Sequence, residues 1–480
     1  MPGLAKRGTD MPEKYHISVK EALSRFPMTG QYATVEFREE CAGSCRDCVR
    51  KNCVYGIFEL NLANMQKMKE PQYLYACEGC FRCVQECTRG IFSRVINPDW
   101  ENLGDSYWTP DIVHQTWVQA ENGKVPVSGA GYRGKFAGYG FDGIWTDMSE
   151  IVRPTRDGIH GREYINTSVD LNHRPHHLVF SPDGSLLEPC ANVFEIPLPV
   201  LLEAPGFGVL SRNVLLSMVS AASELGTMMF IRPADYADDL EPFAAHLVPC
   251  LDRENISRYQ SLIKKSRMIE IRDCGHIAET VAGVKTINPG AVIIIGLEFD
   301  YRASSRAVEL ASLDQVDVIH FYADAAGNEI GANPPRFIST LIREIHSRLV
   351  DKGLRFRINL VFSGGIAMAE HLAKAIICGA DAVAISNPLL IALECRMCLR
   401  CMNGKSCPVY MGDVPVDWGR QRILNLAAAW RNQLIEVMGA MGIREVRRLR
   451  GEMGRSMWFE DLERESFEPI FGQRKAKSLV

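Results

Sequence analysis

From residue 196 onward the chain alternates short runs of β-branched and apolar residues with stretches whose apolar positions recur every three to four residues. The first pattern is that of a buried strand and the second that of an amphipathic helix, so the alternation predicts repeated βα units. Strands are predicted at 200–203, 227–232, 245–250, 268–272, 291–296, 316–321, 357–362 and 382–386. Helical patterns at 211–225, 304–313, 335–350 and 367–378 lie between them. Eight strands with interleaved helices in about 200 residues predict an α/β fold of the (βα)8 barrel type, whose functional groups sit on the loops after the strands. Further on, 416–441 reads as a helix packed on the barrel through Trp418, Leu424, Leu426, Trp430, Leu434 and Val437. The basic stretch 444–455 reads as a solvated face.

Before the barrel, 122–143 is glycine-rich and contains Gly129-Ala130-Gly131-Tyr132-Arg133-Gly134. A dinucleotide fingerprint must follow a strand and open a helix, but glycines and aromatics continue to Gly143, so a loop is predicted. The 480 residues are 46% hydrophobic and 23% charged, with 54 Lys+Arg against 58 Asp+Glu. The resulting charge of −4 gives no footprint for nucleic acid. No run approaches the length of a membrane span and residues 1–28 lack an apolar leader core, so a cytoplasmic protein is expected.

Cysteine changes the picture. Of 16 cysteines, three runs of four stand apart: Cys41, Cys45, Cys48 and Cys53; Cys77, Cys80, Cys83 and Cys87; and Cys395, Cys398, Cys401 and Cys407. Clustered thiols point to metal. The second run has the C-x2-C-x2-C-x3-C spacing of bacterial ferredoxins, whose two-residue gaps curl the chain around one face of a cuboidal iron–sulfur cluster. The first run follows the same plan with an extra residue in its first and last gaps. Structural zinc also accepts four thiolates, and is the alternative. Together the two runs resemble a two-cluster ferredoxin domain. The resemblance implies one [4Fe-4S] cluster on Cys41, Cys45, Cys48 and Cys87, and a second on Cys77, Cys80, Cys83 and Cys53.

Two loops near the barrel's end suggest a phosphate site. Ser363-Gly364-Gly365 follows the seventh predicted strand, and Ser386-Asn387-Pro388 follows the eighth. In such barrels these loops offer backbone N–H groups to a phosphate, and glycine lets the backbone approach closely. The third cysteine run follows at once, ending in Cys407-Pro408-Val409.

Residues 363–411 resemble the flavin-binding domain of glutamate synthase in their Gly-Gly-Ile loop, their Gly-Ala-Asp strand and their Cys-Pro-Val. The segments 199–211 and 129–165 resemble the entrance strand and the archaeal-type, ferredoxin-fused members of the same family. The resemblance implies FMN over the barrel mouth, bound by Ser363, Gly364, Gly365, Ser386 and Asn387. It further implies an iron–sulfur cluster beside the flavin, and reductive amination of a 2-oxo acid. Cys395, Cys401 and Cys407 match the ligands of a three-iron cluster in that family, and Cys398 adds the fourth thiolate of a four-iron one. Implied partners are a ferredoxin or an NAD(P)H-oxidising subunit, with separate amidotransferase and glycine-rich subunits.

Several family features are missing. Arg232-Pro233-Ala234-Asp235 stands in place of a Gly-Glu-Gly-Gly stretch, Ile294 in place of a lysine under the flavin, and 324–332 in place of a Gly-Gly-Thr-Gly loop. The chain begins Met1-Pro2, without a cysteine placed as a glutaminase nucleophile. Two readings follow: a flavin oxidoreductase subunit holding a 2-oxo acid on Arg232 or Arg272, or a multi-cluster electron-transfer subunit with an eroded barrel. Cys274 and His276, after the fourth predicted strand, are the candidates for substrate contact. The expected domains are a ferredoxin-like unit at 1–110, a linker packing on the barrel at 111–195, the barrel with the third cysteine run at 196–412, and a helical extension at 413–480.

Overall fold

The computed structural model describes residues 15–26, 33–37, 53, 80–125, 138–146, 164–172, 180–185, 194–206, 210–273 and 275–472. Eight parallel strands close into a barrel: β1 (Val200–Glu203), β2 (Met229–Ile231), β3 (Leu247–Leu251), β4 (Met268–Arg272), β5 (Val292–Glu298), β6 (Val318–Tyr322), β7 (Asn359–Ser363) and β8 (Ala382–Ile385). Each pairs with the next in the chain, and β8 returns to β1 with Val383 opposite Val200 and Ile385 opposite Leu202. Every predicted strand is present: those at 200–203 and 268–272 match residue for residue, and the ends of the others shift by at most two residues. The strands read as continuous apolar runs because both faces are covered, the outer by helices and the inner by the opposite wall. In β5, for example, Val292–Leu297 are all buried and only Glu298 emerges.

Helices α1 (Pro110–Asn122), α2 (Arg212–Leu225), α3 (Gln260–Lys265), α4 (Ile277–Ile287), α5 (Ala303–Ala311), α6 (Ile338–Asp351), α7 (Ala369–Cys378), α8 (Asn387–Ala392) and α9 (Val416–Ala440) surround this core. The predicted 416–441 helix is α9, and it lies against α2, α1 and α7. Buried Arg422 of α9 donates to the carbonyls of Ala392, Ala22 and Trp117, and Asn425 donates to those of Lys20 and Ala120. One helix thus ties the N-terminal segment and α1 to the chain leaving α8, satisfying carbonyls that burial would otherwise strand.

At the other end of the barrel, Arg355 and Asp381 form a fully enclosed ion pair (2.7 Å), and Arg450 reaches the same carboxylate. These cations hold the Asp381 carboxyl below its usual range against the opposing effect of burial. An antiparallel ribbon, residues 33–37 against 92–96, brackets the first two cysteine runs in sequence. No helix among the described residues is long and apolar enough to cross a membrane. The glycine motif at 129–134 lies outside the described residues.

Candidate functional site

The C-terminal ends of β1, β6, β7 and β8 surround a cavity of about 220 Å³, lined by Glu203, Tyr322, Ser363, Gly364, Gly365, Ser386 and Asn387, among others. All five residues predicted for phosphate and flavin contact line this one space. Gly364 and Gly365 take left-handed φ of 91° and 68°, open to glycine at little cost. A Cβ on Gly364 would lie 2.4 Å from the Asp324 carbonyl, and one on Gly365 would lie 2.5 Å from Gly327 Cα. Two loops therefore pack backbone to backbone at the rim. Trp108, from the segment between the ribbon and α1, supplies another wall and donates its indole N–H to the Ala325 carbonyl (3.0 Å). Neighbouring Tyr107 donates to the Gly365 carbonyl.

Below the cavity the barrel interior is polar. Glu270 of β4 and His320 of β6 are fully buried, with His320 Nδ1 2.8 Å from Glu270 Oε2. The Tyr322 hydroxyl donates to the other Glu270 oxygen. Gly296 makes room, since a Cβ there would stand 2.9 Å from Glu270 Oε1. The His320 ring packs against Phe230 and Tyr322, and its Nε2 is buried with no partner among the described residues. Burial pushes the Glu203 carboxyl up to about 7; Glu270 adds to the rise, while His320 and a hydrogen bond with Ser363 oppose it. Burial, then the nearby carboxylates, likewise push up the Cys250 thiol and the Tyr322 phenol.

A second and larger cavity, about 850 Å³, opens beside Tyr322 over β4 and β5. Its lining includes Arg272, Arg302 and Arg306 with Asp252, Asp273, Glu298 and Asp300. Arg306 is committed to Asp273 and Glu309, and Arg302 to Asp300. Arg272 is 68% exposed along its side chain and only loosely paired, 3.7 Å from Asp252. It is therefore the cation most available to an anion here. Arg232 lies outside both linings, paired with Asp235 at 2.7 Å.

The third cysteine run begins three residues after α8. Cys398, Cys401 and Cys407 all lie within electrostatic range of Cys395: burial pushes the Cys395 thiol up to about 12, against a bond from the Met397 N–H, and the other three add to the rise. Among the described residues, no three His, Cys, Asp or Glu side chains are arranged around one ion. The backbone repeats a conformation of the second run. Phe81 (φ 55°, ψ 14°), after Cys80, and Leu399 (φ 51°, ψ 15°), after Cys398, are both left-handed and both open a short helical turn. Such a non-glycine conformation costs about 1–2 kcal/mol. Its recurrence at the same place in Cys-Phe-Arg-Cys and Cys-Leu-Arg-Cys marks a shared loop. Around Cys87, burial raises the thiol, but the N–H groups of residues 89–92 together outweigh it and hold the thiol low. Cys53 is partly exposed. Cys41, Cys45, Cys48 and Cys77 lie outside the described residues, and so does the crossed ligand pairing.

Cys274 is also outside the described residues. His276 precedes α4 with its side chain 63% exposed, 4.0 Å from Glu279, and is not among the residues lining either cavity. Sequence reasoning missed Glu203, Glu270, His320 and Tyr322. The signal was available as ionisable residues inside largely apolar strands: Glu270 in Met-Ile-Glu-Ile-Arg, where only the terminal Arg272 is exposed, and His320 and Tyr322 in Val-Ile-His-Phe-Tyr.

Residues 254–444 match the family model described as a conserved region in glutamate synthase. An archaeal-type glutamate synthase [NADPH] from Dehalococcoides mccartyi is 26% identical over 431 residues, covering 78% of this chain and 85% of that protein. The archaeal glutamate synthase [NADPH] of Archaeoglobus fulgidus is 24% identical, covering 90% and 95%. That of Methanocaldococcus jannaschii is 26% identical, covering 79% and 92%.

Proposed function

We propose, for a chain whose residues 254–444 belong to the glutamate synthase family, an iron–sulfur flavoprotein subunit that passes electrons from an external donor to FMN at the barrel mouth. The observation that carries this reading is the junction at β8. Ser386 and Asn387 line the mouth cavity, and the same chain runs through α8 straight into four neighbouring cysteines. The phosphate end of FMN fits what is present: two glycines carry the rim without side chains, and Ser363, Ser386 and Asn387 put hydroxyl and amide donors on one wall. FMN supplies, when bound, the conversion between single electrons and two-electron chemistry. Trp108 would close the wall on the side of the N-terminal segment, and Arg272, in the larger neighbouring cavity, would hold the carboxylate of a 2-oxo acid.

The loop shared by the second and third cysteine runs supports iron–sulfur ligation by Cys80, Cys83, Cys395, Cys398 and Cys401, with Cys407 completing a four-iron site near the mouth. The remaining N-terminal cysteines would complete two further clusters. Electron donors of the ferredoxin or NAD(P)H-oxidising kind, with separate amidotransferase and glycine-rich subunits, fit this reading. The first 110 residues would then be the ferredoxin-like unit, 111–195 a linker on the barrel, 196–412 the flavin barrel and 413–480 its helical extension.

One observation favours the other reading, an electron-transfer subunit without its own substrate. Ile294 is fully buried and apolar where the family places a cation that would stabilise reduced flavin. Anaerobic purification with assay of iron, sulfide, zinc and flavin separates the two. About twelve irons and one FMN per chain are expected. Full iron with no flavin, even after incubation with FMN, would leave the electron-transfer reading.

A further inference from the structure

We infer that Glu203 is the proton donor of the barrel mouth, backed by the buried set Glu270, His320 and Tyr322 beneath it. The inference rests on the mouth being the place of reaction, and it adds to that reading the group that moves the proton. Three ionisable side chains line the mouth cavity: Glu203, Tyr322 and Asp324. Asp324 is occupied by the N–H groups of Ala326 and Asn328, and the Tyr322 hydroxyl is given to Glu270. Glu203, the last residue of β1, lines the same space and is bonded there to the Ser363 hydroxyl.

Its surroundings differ from those of a structural carboxylate in the same barrel. Asp381 is buried between Arg355 and Arg450. Around Glu203 the ionisable neighbours are Cys250 on β3, Glu270 on β4, and His320 and Tyr322 on β6, with the Ser363 hydroxyl on β7. The other strands bring Phe230, Gly296 and Ala384, none of them ionisable. Among the described residues, no arginine or lysine acts on this carboxyl; its one cationic neighbour is His320. A half-buried carboxyl desolvated by its surroundings and without an arginine or lysine partner favours its protonated form, and such groups concentrate where protons are transferred.

The set beneath can restore that proton. Glu270 accepts from Tyr322 and bonds His320 Nδ1, while His320 Nε2, fully buried, has no partner among the described residues. An imidazole bonded through one nitrogen and free at the other is the arrangement of a shuttle. No three of these side chains surround one point as a metal would require. In the step itself the Glu203 O–H bond breaks and its electron pair stays on the carboxylate. The proton would join the substrate's C=N or C=O group, the hydride equivalent being what a reduced flavin would supply when bound. Proton and hydride together make the two-electron, two-proton balance of the reduction.

The test is an infrared pH titration of the full protein as purified, following the C=O band of a protonated carboxyl. A band that titrates with its midpoint near pH 7 in the wild type and is missing from Glu203→Gln is expected. His320→Asn, which removes the group that lowers this pKa, should move the midpoint upward. A carboxyl already ionised at pH 5, a band that persists in Glu203→Gln, or a midpoint indifferent to His320→Asn would each overturn the inference. If Glu203→Gln fails to fold, as judged by circular dichroism, the wild-type and His320→Asn titrations decide alone. Flavin content is measured on the same samples. A titrating Glu203 in protein that binds no FMN would sink the flavin reading and leave the proton group standing, and an ionised Glu203 in FMN-loaded protein would do the reverse.

Discussion

Gly296 faces inward on β5, where any Cβ would press on Glu270 and on the Tyr322 ring (2.9 and 3.1 Å). Neither neighbour can yield easily, because each is bonded to the other. Gly296→Ala is therefore expected to lower unfolding free energy by about 1–3 kcal/mol, measured by urea denaturation. His346 offers a pH-dependent counterpart. Burial, then Arg355 and Arg450, pushes its imidazole down to about 4, and its Nδ1 accepts from Arg355 Nε (3.2 Å). Unfolded histidine titrates at about 6.5, so between that pH and about 4 the unfolded chain binds a proton that the folded one refuses. Stability should fall as pH drops through this window. His346→Gln should flatten that part of the wild-type curve, as followed by thermal melts at successive pH values.

Among elements, α2 shows how a local signal and a distant contact combine. Ser211 caps it by accepting from the Val214 N–H (3.3 Å), and the same hydroxyl donates to the Met411 carbonyl just past the third cysteine run (3.2 Å). Ser211→Ala should cost about 1 kcal/mol, with the change read from a urea midpoint. The strands were legible because a parallel barrel buries both faces and so demands uninterrupted apolar runs. The first cysteine run was equally legible as a motif, although most of it lies outside the described residues. The polar members of β4 and β6 stood out as ionisable residues within apolar strands, but not that they face the axis, since a strand's sequence shows alternation and not which parity points inward.

For the whole molecule, the segment between the N-terminal ribbon and α1 links cysteine region and barrel. Trp100, Leu103 and Trp108 share a core with Met368, Ile391 and Met397, while Trp108 also walls the mouth. Trp108→Ala removes the indole's bond to the Ala325 carbonyl and opens that wall. The expected result is a loss of FMN on gel filtration, at least tenfold weaker retention, with iron content unchanged. A parallel loss of iron would mean that the wall also holds the third cysteine loop in place.

By itself the sequence determined what depends on neighbours along the chain: eight buried strands, the helices between them, the cysteine spacings and the two loops ending β7 and β8. Periodicity, turn residues and ligand spacing are local properties, so a linear reading reaches them. Only the tertiary structure decided that Ser363, Gly364, Gly365, Ser386 and Asn387 line one cavity with Trp108 from far upstream, and that Glu203, Glu270, His320 and Tyr322 meet beneath it. These residues come from β1, β4 and β6, more than a hundred positions apart at the extremes. Barrel closure, through the pairing of β8 with β1, turns their side chains onto a common axis. No local pattern encodes that meeting, because it is the geometry of the closed sheet that creates it.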